Sequence, residues 1–370
     1  MTRIVRLPLY ICRDCIYVEI WLTPINMFFI SEDVQRLQLV ADNLIHNSIR
    51  LSTRKTYNSA QKRYLDFCTM YTLCPLPATQ QVLLLYIAYL YEEKLCYSTV
   101  NVYLAAIRSL HIMQGHANPL DGALMVKQAL RALQIERNIV QQKLPITFSI
   151  LSKIQIMLYT QPHSHIVWAA MTLAFFGCLR SAELTVPSQQ SYDSNVNLSL
   201  SDVKIYNNDQ NEEWLTVFIK RSKTDKCNKG VHVYLGCTSH KVCAHCAIKQ
   251  LLSQRSYNTN GYEPLFLYPN GLVLTKHLFL TQTRLLLSML GYNASSFTGH
   301  SYRSGSATSA AGAGMSDWEI KLLGRWSSNA YQRYIRTSPT FLISFSKRLT
   351  TTSKINNVFN FRNPYITKIY

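Results

Sequence analysis

Six side chains between residues 180 and 334 have types that suit attack on a phosphodiester bond. They are Arg180, Lys223, His300, Arg303, Trp326 and Tyr334. Breaking such a bond without water requires a side-chain nucleophile that becomes a covalent phosphoester. It also requires donors for the non-bridging oxygens and an acid for the leaving 5′-oxygen. The sequence contains a side chain for each of these tasks.

The residue types favour a division of roles among the charged members. The planar guanidinium groups of Arg180 and Arg303 suit a bidentate clamp on the phosphate oxygens. The ammonium of Lys223 suits the proton donor to the leaving oxygen. His300 can shuttle a proton or hold a phosphate oxygen.

The aromatic members lie near the end of the pattern. The indole of Trp326 offers one N–H donor, and the phenol of Tyr334 suits the nucleophile. Tyr331 is a second candidate nucleophile, because it lies three residues before Tyr334 and one helix would place both on the same face.

Local patterns predict where the charged members lie. Arg180 follows an apolar helix, where a charge can emerge from the packing. Lys223 ends a strand before a turn and is expected at a hairpin tip. His300 and Arg303 are three residues apart and are expected to share a helix face.

The segment that follows favours a rigid, closely packed helix. Residues 304–314 are almost all small, so this helix can approach a neighbour closely. Ser316 and Glu319 form a capping-box pattern that starts the next helix, and Gly324 can end it.

The composition favours a folded protein with a polyanionic partner. Of 370 residues, 48% are hydrophobic, which is enough for two domains with their own cores. The net charge of +18 favours phosphate contacts. Ten cysteines are too dilute for a disulfide scaffold and favour a reducing, intracellular compartment. The apolar run 15–30 is interrupted by Glu19 and Pro24, so no membrane role is expected.

The periodicity predicts an α+β, mostly α protein. The expected segments are an unassigned extension (1–31), a helical domain (32–136), a linker (137–146), a domain of helices around a small antiparallel sheet (147–339) and a basic tail (340–370). Alternating patterns predict strands at 198–205, 214–220 and 231–235. Within the helical domain, Ser52, Thr79 and Ser98 are expected to start helices.

Basic side chains are scattered over the polar faces of the helical domain. They are Arg54, Lys55, Lys62, Arg63, Arg108, Lys127 and Arg131. Solvated helix faces and contacts to a DNA backbone explain them equally well. The DNA interpretation becomes preferable only together with the residues of the second domain.

The ordered set resembles the tyrosine recombinase (phage integrase) family over about residues 33–338. The resemblance rests on the motifs Gly-Cys-Leu-Arg-Ser-Ala-Glu-Leu at 177–184, Ser-Lys-Thr-Asp at 222–225, Gly-His-Ser-Tyr-Arg-Ser-Gly at 299–305 and Leu-Gly-Arg-Trp at 323–326. These motifs are most similar to recombinases of eukaryotic mobile elements of the Crypton and DIRS kind. Trp326 stands where bacterial members commonly have a second histidine, as it does in some active members.

The resemblance implies a fold and a mechanism. It implies a helical, SAM-like core-binding domain and a catalytic domain that together clamp double-stranded DNA. It implies a 3′-phosphotyrosine, strand exchange through a Holliday junction, a homotetrameric synapse, and no metal or nucleotide cofactor. The context and spacing of Tyr334 favour it over Tyr331 as nucleophile. The similarity to eukaryotic elements suggests the nucleus.

Two other functions compete with recombination. A domesticated DNA-binding protein would keep the fold without cutting, and a type IB topoisomerase would relax supercoils without pairing two sites. The complete set argues against the first. His300 and Trp326 are more similar to recombinases than to the second.

A group of cysteines and histidines invites a zinc interpretation. It comprises Cys237, His240, Cys243, His245 and Cys246, of which Cys243 and Cys246 have the spacing of metal ligands. Because the resemblance places a metal-free loop and helix here, we expect partly buried thiols and no metal.

Overall fold

The computed structural model describes residues 32–137, 143–158, 163–210, 212–225, 227–255 and 260–336. The chain divides into two compact units, Met1–Gln141 and Gln142–Tyr370. This division falls inside the segment 137–146 that we predicted as a linker. The predicted extension (1–31) and basic tail (340–370) lie outside the described residues.

Five helices form the described part of the first unit. They are α1 (Glu32–Asn47), α2 (Leu51–Met70), α3 (Gln80–Glu92), α4 (Tyr97–Met113) and α5 (Leu124–Arg137). The core of this unit is formed by α2 to α5 and includes the buried residues Tyr64, Leu83, Tyr86, Leu104 and Ile107. None of the helices in the described part of the chain is both long and apolar enough to cross a bilayer.

The predicted helix starts are correct at one position and wrong at two. The Thr79 side chain accepts the N–H of Val82 and caps α3. Ser52 lies inside α2, because Arg50 is the extended cap residue. Ser98 lies inside α4, because Cys96 is the cap and its Sγ atom lies 3.2 Å from the Ser98 hydroxyl.

The second unit places helices around a three-stranded sheet, as predicted. The helices are α6 (Phe148–Leu158), α7 (Ser164–Phe176), α8 (Ser181–Leu184), α9 (Ala244–Ser253), α10 (Lys276–Met289), α11 (Ser301–Gly312) and α12 (Asp317–Gly324). The antiparallel strands are β1 (Val203–Asn207), β2 (Glu213–Ile219) and β3 (Val231–Gly236), in that order.

The first strand begins later than its sequence pattern suggests. We expected it from residue 198, but residues Leu200–Asp202 form a 3₁₀ turn. The Asp202 carboxylate accepts both the N–H and the hydroxyl of Ser199, which stabilises this turn. The backbone therefore enters the sheet only at Val203.

Helix α7 is the centre of the second unit. All its residues from Ile166 to Phe175 are buried, which is typical of a helix surrounded by other elements. It packs against α6, α9 and α11. The chain leaves α7 through Gly177 and Cys178, the latter with a positive φ of 46°, and this turn positions the residues that follow.

Helix α11 approaches the start of the second unit very closely. The Ile146 N–H donates to the Ser301 carbonyl at 2.9 Å. A Cβ atom added to Gly305 would lie 1.7 Å from the Ile146 carbonyl oxygen. The small residues of 304–314 therefore allow this approach, as expected.

We predict that Gly305→Ala destabilises the protein by about 1–3 kcal/mol, because the methyl group forces two backbones apart. Gly312→Ala is the matched control on the same helix, since no atom lies within 4 Å of its added Cβ. It should be neutral or stabilising by up to about 1 kcal/mol through helix propensity. Urea denaturation of both variants measures the difference, and equal stabilities would contradict this packing.

Candidate active site

Arg180 lies directly after the turn that ends α7 and caps the short helix α8. Its Nη1 donates to Glu183 Oε1 at 2.8 Å, and its backbone N–H donates to Glu183 Oε2 at 3.0 Å. The Arg180 side chain keeps 14% of its surface exposed, whereas Glu183 keeps 3%. The carboxylate thus holds the guanidinium near the surface, with part of it accessible.

Arg303 lies on α11 and has no exposed surface. Its two terminal nitrogens donate to the carbonyl oxygens of Cys178 and Gly324. Its Nε atom is buried and has no hydrogen-bond partner among the described residues. Burial lowers the pKa of this guanidinium, although an arginine remains charged.

Two residues that the sequence analysis gave no role connect these arginines. Arg325, in a left-handed conformation after α12, donates to the Gly177 carbonyl at 3.0 Å and to Glu183 Oε2 at 3.2 Å. Glu183 therefore accepts from both Arg180 and Arg325. The three-residue spacing between Arg180 and Glu183 was the available signal for this ion pair.

His300 is the cap residue of α11 and stays exposed, whereas Arg303 points inward. Our expectation of one shared helix face is therefore wrong, since His300 precedes the first helical turn. Partial burial lowers the pKa of its imidazole, and nearby positive charges lower it further. These charges belong, in decreasing order of effect, to Arg180, Arg303, Lys276 and Lys223. Both effects favour the neutral imidazole, which has one ring nitrogen that can accept a proton.

The two lysines near His300 lie on different elements. Lys223 is exposed in the turn after β2, four residues beyond the strand end at Ile219 and not at the end itself. Lys276, which the sequence analysis missed, is the exposed first residue of α10. No motif signals Lys276, because only the packing of α10 brings it near His300.

Tyr334 lies beside the other members of the set. Its ring centre is 5.4 Å from that of Trp326, 6.4 Å from that of His300 and 5.9 Å from the Arg303 guanidinium carbon. The Trp326 ring also lies 4.2 Å from that carbon. The Tyr334 carbonyl accepts the Ser304 hydroxyl at 2.7 Å, which fixes its backbone against α11.

Tyr331 has a different environment. We expected both tyrosines on one α-helix, but Tyr331 lies in a 3₁₀ turn (Asn329–Arg333) and Tyr334 follows it. Tyr331 is 1% exposed and packs against Ala307, Ala310 and Ile320. A hydrogen bond with the Asp317 carboxylate raises the pKa of its phenol. Both features favour a structural role.

The predicted DNA-contacting residues of the first unit differ in exposure. The exposed ones are Lys55, Lys62, Arg108, Lys127 and Arg131. Arg54 is partly buried and donates to the Ile49 carbonyl at 3.3 Å. Arg63 donates to the Glu93 carboxylate at 3.1 Å and lies 5.8 Å from the Tyr89 ring centre, so an intramolecular role explains it.

The chain is similar to known integrases in sequence and in fold. The integrase/recombinase xerD homolog of Selenomonas ruminantium is 25% identical over 293 residues, covering 76% of this chain and 80% of that protein. The Tn1549 transposon integrase, solved with circular-intermediate DNA, gives a TM-score of 0.54 at 17% identity over 84% of this chain and 98% of that chain. The lambda integrase dimer bound to a COC′ core site gives a TM-score of 0.52 at 16% identity. This match covers 82% of this chain and 94% of the lambda integrase chain.

No protein-family model matches the chain. The structural likeness shows that the chain has the fold of these integrases, mostly helical with a small antiparallel sheet. The fold and the sequence similarity together support the resemblance to the tyrosine recombinase and integrase family.

We predict that Lys276→Met raises the pKa of the His300 imidazole towards its ordinary value. Removing a nearby positive charge stabilises the protonated ring, so the titration midpoint moves upward. Lys204→Met, an exposed change on β1, is the control and should leave the midpoint in place. NMR titration of the His300 ring measures both variants. Identical midpoints in Lys276→Met and Lys204→Met would show that the Lys276 charge does not affect the pKa of His300.

Proposed function

We propose that this protein is a site-specific DNA recombinase or integrase that cuts and rejoins strands through a 3′-phosphotyrosine. The observation that carries the proposal is the position of Tyr334, whose ring lies next to Trp326, His300 and the Arg303 guanidinium. The name of the xerD homolog, an integrase/recombinase, points to the same activity.

In the proposed reaction the Tyr334 phenol oxygen attacks the phosphorus of a DNA strand. Its proton passes to the neutral imidazole of His300, and Arg180 and Arg303 hold the non-bridging oxygens. The bond from phosphorus to the 5′-oxygen breaks, and Lys223 donates a proton to that oxygen. The 5′-hydroxyl of a second strand then attacks the phosphotyrosine by the reverse steps. Every role belongs to a side chain, so the proposal requires no metal.

Arg303 must exchange a partner before it can hold a phosphate. Its terminal nitrogens donate to the Cys178 and Gly324 carbonyls. The Gly324 carbonyl is the contact we expect DNA to replace, because Gly324 leads directly into the segment with Trp326 and Tyr334. A phosphate oxygen accepts a charge-assisted hydrogen bond more strongly than a carbonyl does. DNA binding would then reposition this segment around the scissile phosphate.

The proposal includes partners and a location. The partner is double-stranded DNA, held by the exposed basic residues of the first unit, the core-binding domain, and by the second unit, the catalytic domain. A homotetramer would form the synapse, with monomers or dimers when free. We further propose that the chain derives from a eukaryotic mobile element of the Crypton or DIRS kind and acts in the nucleus.

We predict that the wild-type protein forms a covalent complex with nicked duplexes of randomised sequence, which release a short strand after cleavage and so trap the enzyme. Tyr334→Phe should abolish the complex, because no other oxygen replaces the phenol. Tyr331→Phe is the matched control and should keep it. Denaturing gels followed by mass spectrometry of the tyrosyl–DNA peptide identify the attached residue.

Three results would contradict the proposal in different ways. Attachment through Tyr331 would reassign the nucleophile. DNA binding with no covalent complex would favour the domesticated DNA-binding protein. Relaxation of a supercoiled plasmid of unrelated sequence, without joining of two sites, would favour a topoisomerase.

We predict that Lys62→Gln weakens duplex binding and reduces the slope of log affinity against log salt by about 1, because one phosphate contact is lost. Arg63→Gln is the control, since neighbouring helix positions point about 100° apart and Arg63 pairs with Glu93. It should lower the melting temperature and leave the slope unchanged. Fluorescence anisotropy over a salt series measures the slope. A larger decrease in slope for Arg63→Gln than for Lys62→Gln would assign the phosphate contact to Arg63 instead of Lys62.

A further inference from the structure

Three cysteine thiols meet at the junction between β3 and α9. The Sγ atoms of Cys237, Cys243 and Cys246 all lie within 4.8 Å of one another. Cys237 follows β3, Cys243 caps α9, and Cys246 lies in the first turn of that helix. The sequence analysis expected partly buried thiols and no metal here. They form a triangle of sulfur atoms open to solvent on the Cys246 side.

The spacing of the sulfur atoms fits a tetrahedral metal site. Cys237 Sγ lies 3.6 Å from Cys246 Sγ. In a tetrahedral site with Zn–S bonds of about 2.3 Å, two sulfur ligands lie about 3.8 Å apart. The pair is thus arranged at ligand-to-ligand distance and needs little movement to accept an ion.

Two backbone N–H groups point at the Cys243 sulfur. The Thr238 N–H donates to Cys243 Sγ at 3.4 Å, and the backbone N–H of Cys246 also points to this sulfur. Hydrogen bonds from N–H groups stabilise the charged form of a sulfur atom.

A buried histidine next to the cysteines provides an independent indication. His245 has no exposed surface, and neither ring nitrogen has a hydrogen-bond partner among the described residues. One of these nitrogens lies within 4.8 Å of the Cys237 sulfur. An unpartnered buried imidazole is costly, and coordination of a metal would satisfy one nitrogen. The Glu213 carboxylate lies 3.7 Å from Nδ1, and the nitrogen near the Cys237 sulfur also lies within 4.8 Å of this carboxylate.

We propose that Cys237, Cys243 and Cys246 bind one structural Zn²⁺ ion, with His245 as the fourth ligand of a Cys₃His site. The His245 nitrogen lies within 4.8 Å of the Cys237 sulfur but not of all three sulfur atoms, so metal binding requires the imidazole to move toward the triangle. His240 is not a ligand, because its Nδ1 accepts the Val242 N–H at 3.0 Å.

The site would brace the sheet at the end opposite Lys223. The Cys237 N–H donates to the carbonyl of Glu213, the first residue of β2, at 2.7 Å. Lys223 lies beyond the other end of the same strand. A metal at Cys237 would therefore tie β2, β3 and α9 together and keep the hairpin that carries Lys223 in a fixed position.

The test is metal loading of the full-length protein, purified under reducing conditions and offered Zn²⁺ alone. We expect one equivalent of Zn²⁺ per chain, a higher melting temperature with the ion than after chelation, and an intense thiolate-to-cobalt absorption band when Co²⁺ replaces zinc. Cys246→Ser should lose the bound ion, and its exposed position means that the fold survives. His245→Asn should bind the ion more weakly. Cys227→Ser, which alters an exposed thiol between β2 and β3, is the matched control and should retain the full equivalent.

Several outcomes would overturn the site. Failure of the wild type to retain Zn²⁺ through gel filtration would do so, as would full retention by Cys246→Ser. A Cys237–Cys246 disulfide in the protein isolated from cells, detected by non-reducing mass spectrometry, would assign the cluster to redox chemistry instead. None of these readouts depends on DNA cleavage, so the site can fail while the recombinase proposal stands.

Discussion

The buried carboxylate of Glu183 is the contact on which the candidate active site depends. It accepts hydrogen bonds from Arg180 and Arg325, while the Cys178 carbonyl accepts from Arg303 and Arg325. Burying guanidinium groups is unfavourable unless their donors are paired. Glu183 and the turn after α7 provide this pairing and so join α8, α11 and the end of α12.

The same arrangement prepares the site for an anion. Of the three guanidinium groups, those of Arg180 and Arg325 pair with the Glu183 carboxylate, whereas that of Arg303 donates only to neutral carbonyl oxygens. Arg303 also keeps a buried Nε atom without a partner among the described residues. A phosphate would neutralise this excess charge and satisfy that donor. Partial burial and these positive charges both lower the pKa of His300, and the neutral imidazole they favour is the proton acceptor in the reaction proposed for Tyr334.

The segment after α12 contains both residues that pack in a core and residues of the candidate active site. A Cβ atom on Gly324 would meet the Trp326 ring at 1.8 Å, so this glycine is what lets the indole fold back over Arg303. Tyr331 anchors the segment in a small core with Ala307 and Ile320. The Tyr334 carbonyl accepts hydrogen bonds from Ser304 and Thr308, and its ring packs against the Trp326 ring. The anchor at Tyr331 and these contacts together position the Tyr334 side chain beside His300 and Arg303.

The sequence by itself determined the fold class, the three strands and the identity of the candidate set, because apolar periodicity and residue type are local properties. Thr79 and the Ser316–Glu319 capping box were predictable for the same reason. Tertiary structure alone decided the rest. The ion pair between Arg325 and Glu183 joins residues far apart in sequence, and Lys276 approaches His300 only through helix packing. Likewise, the sequence spacing of Cys237, Cys243 and Cys246 did not show whether their thiols lie together. The packing of β3 against α9 brings them into one cluster. Each depends on distances between elements, which no local pattern encodes.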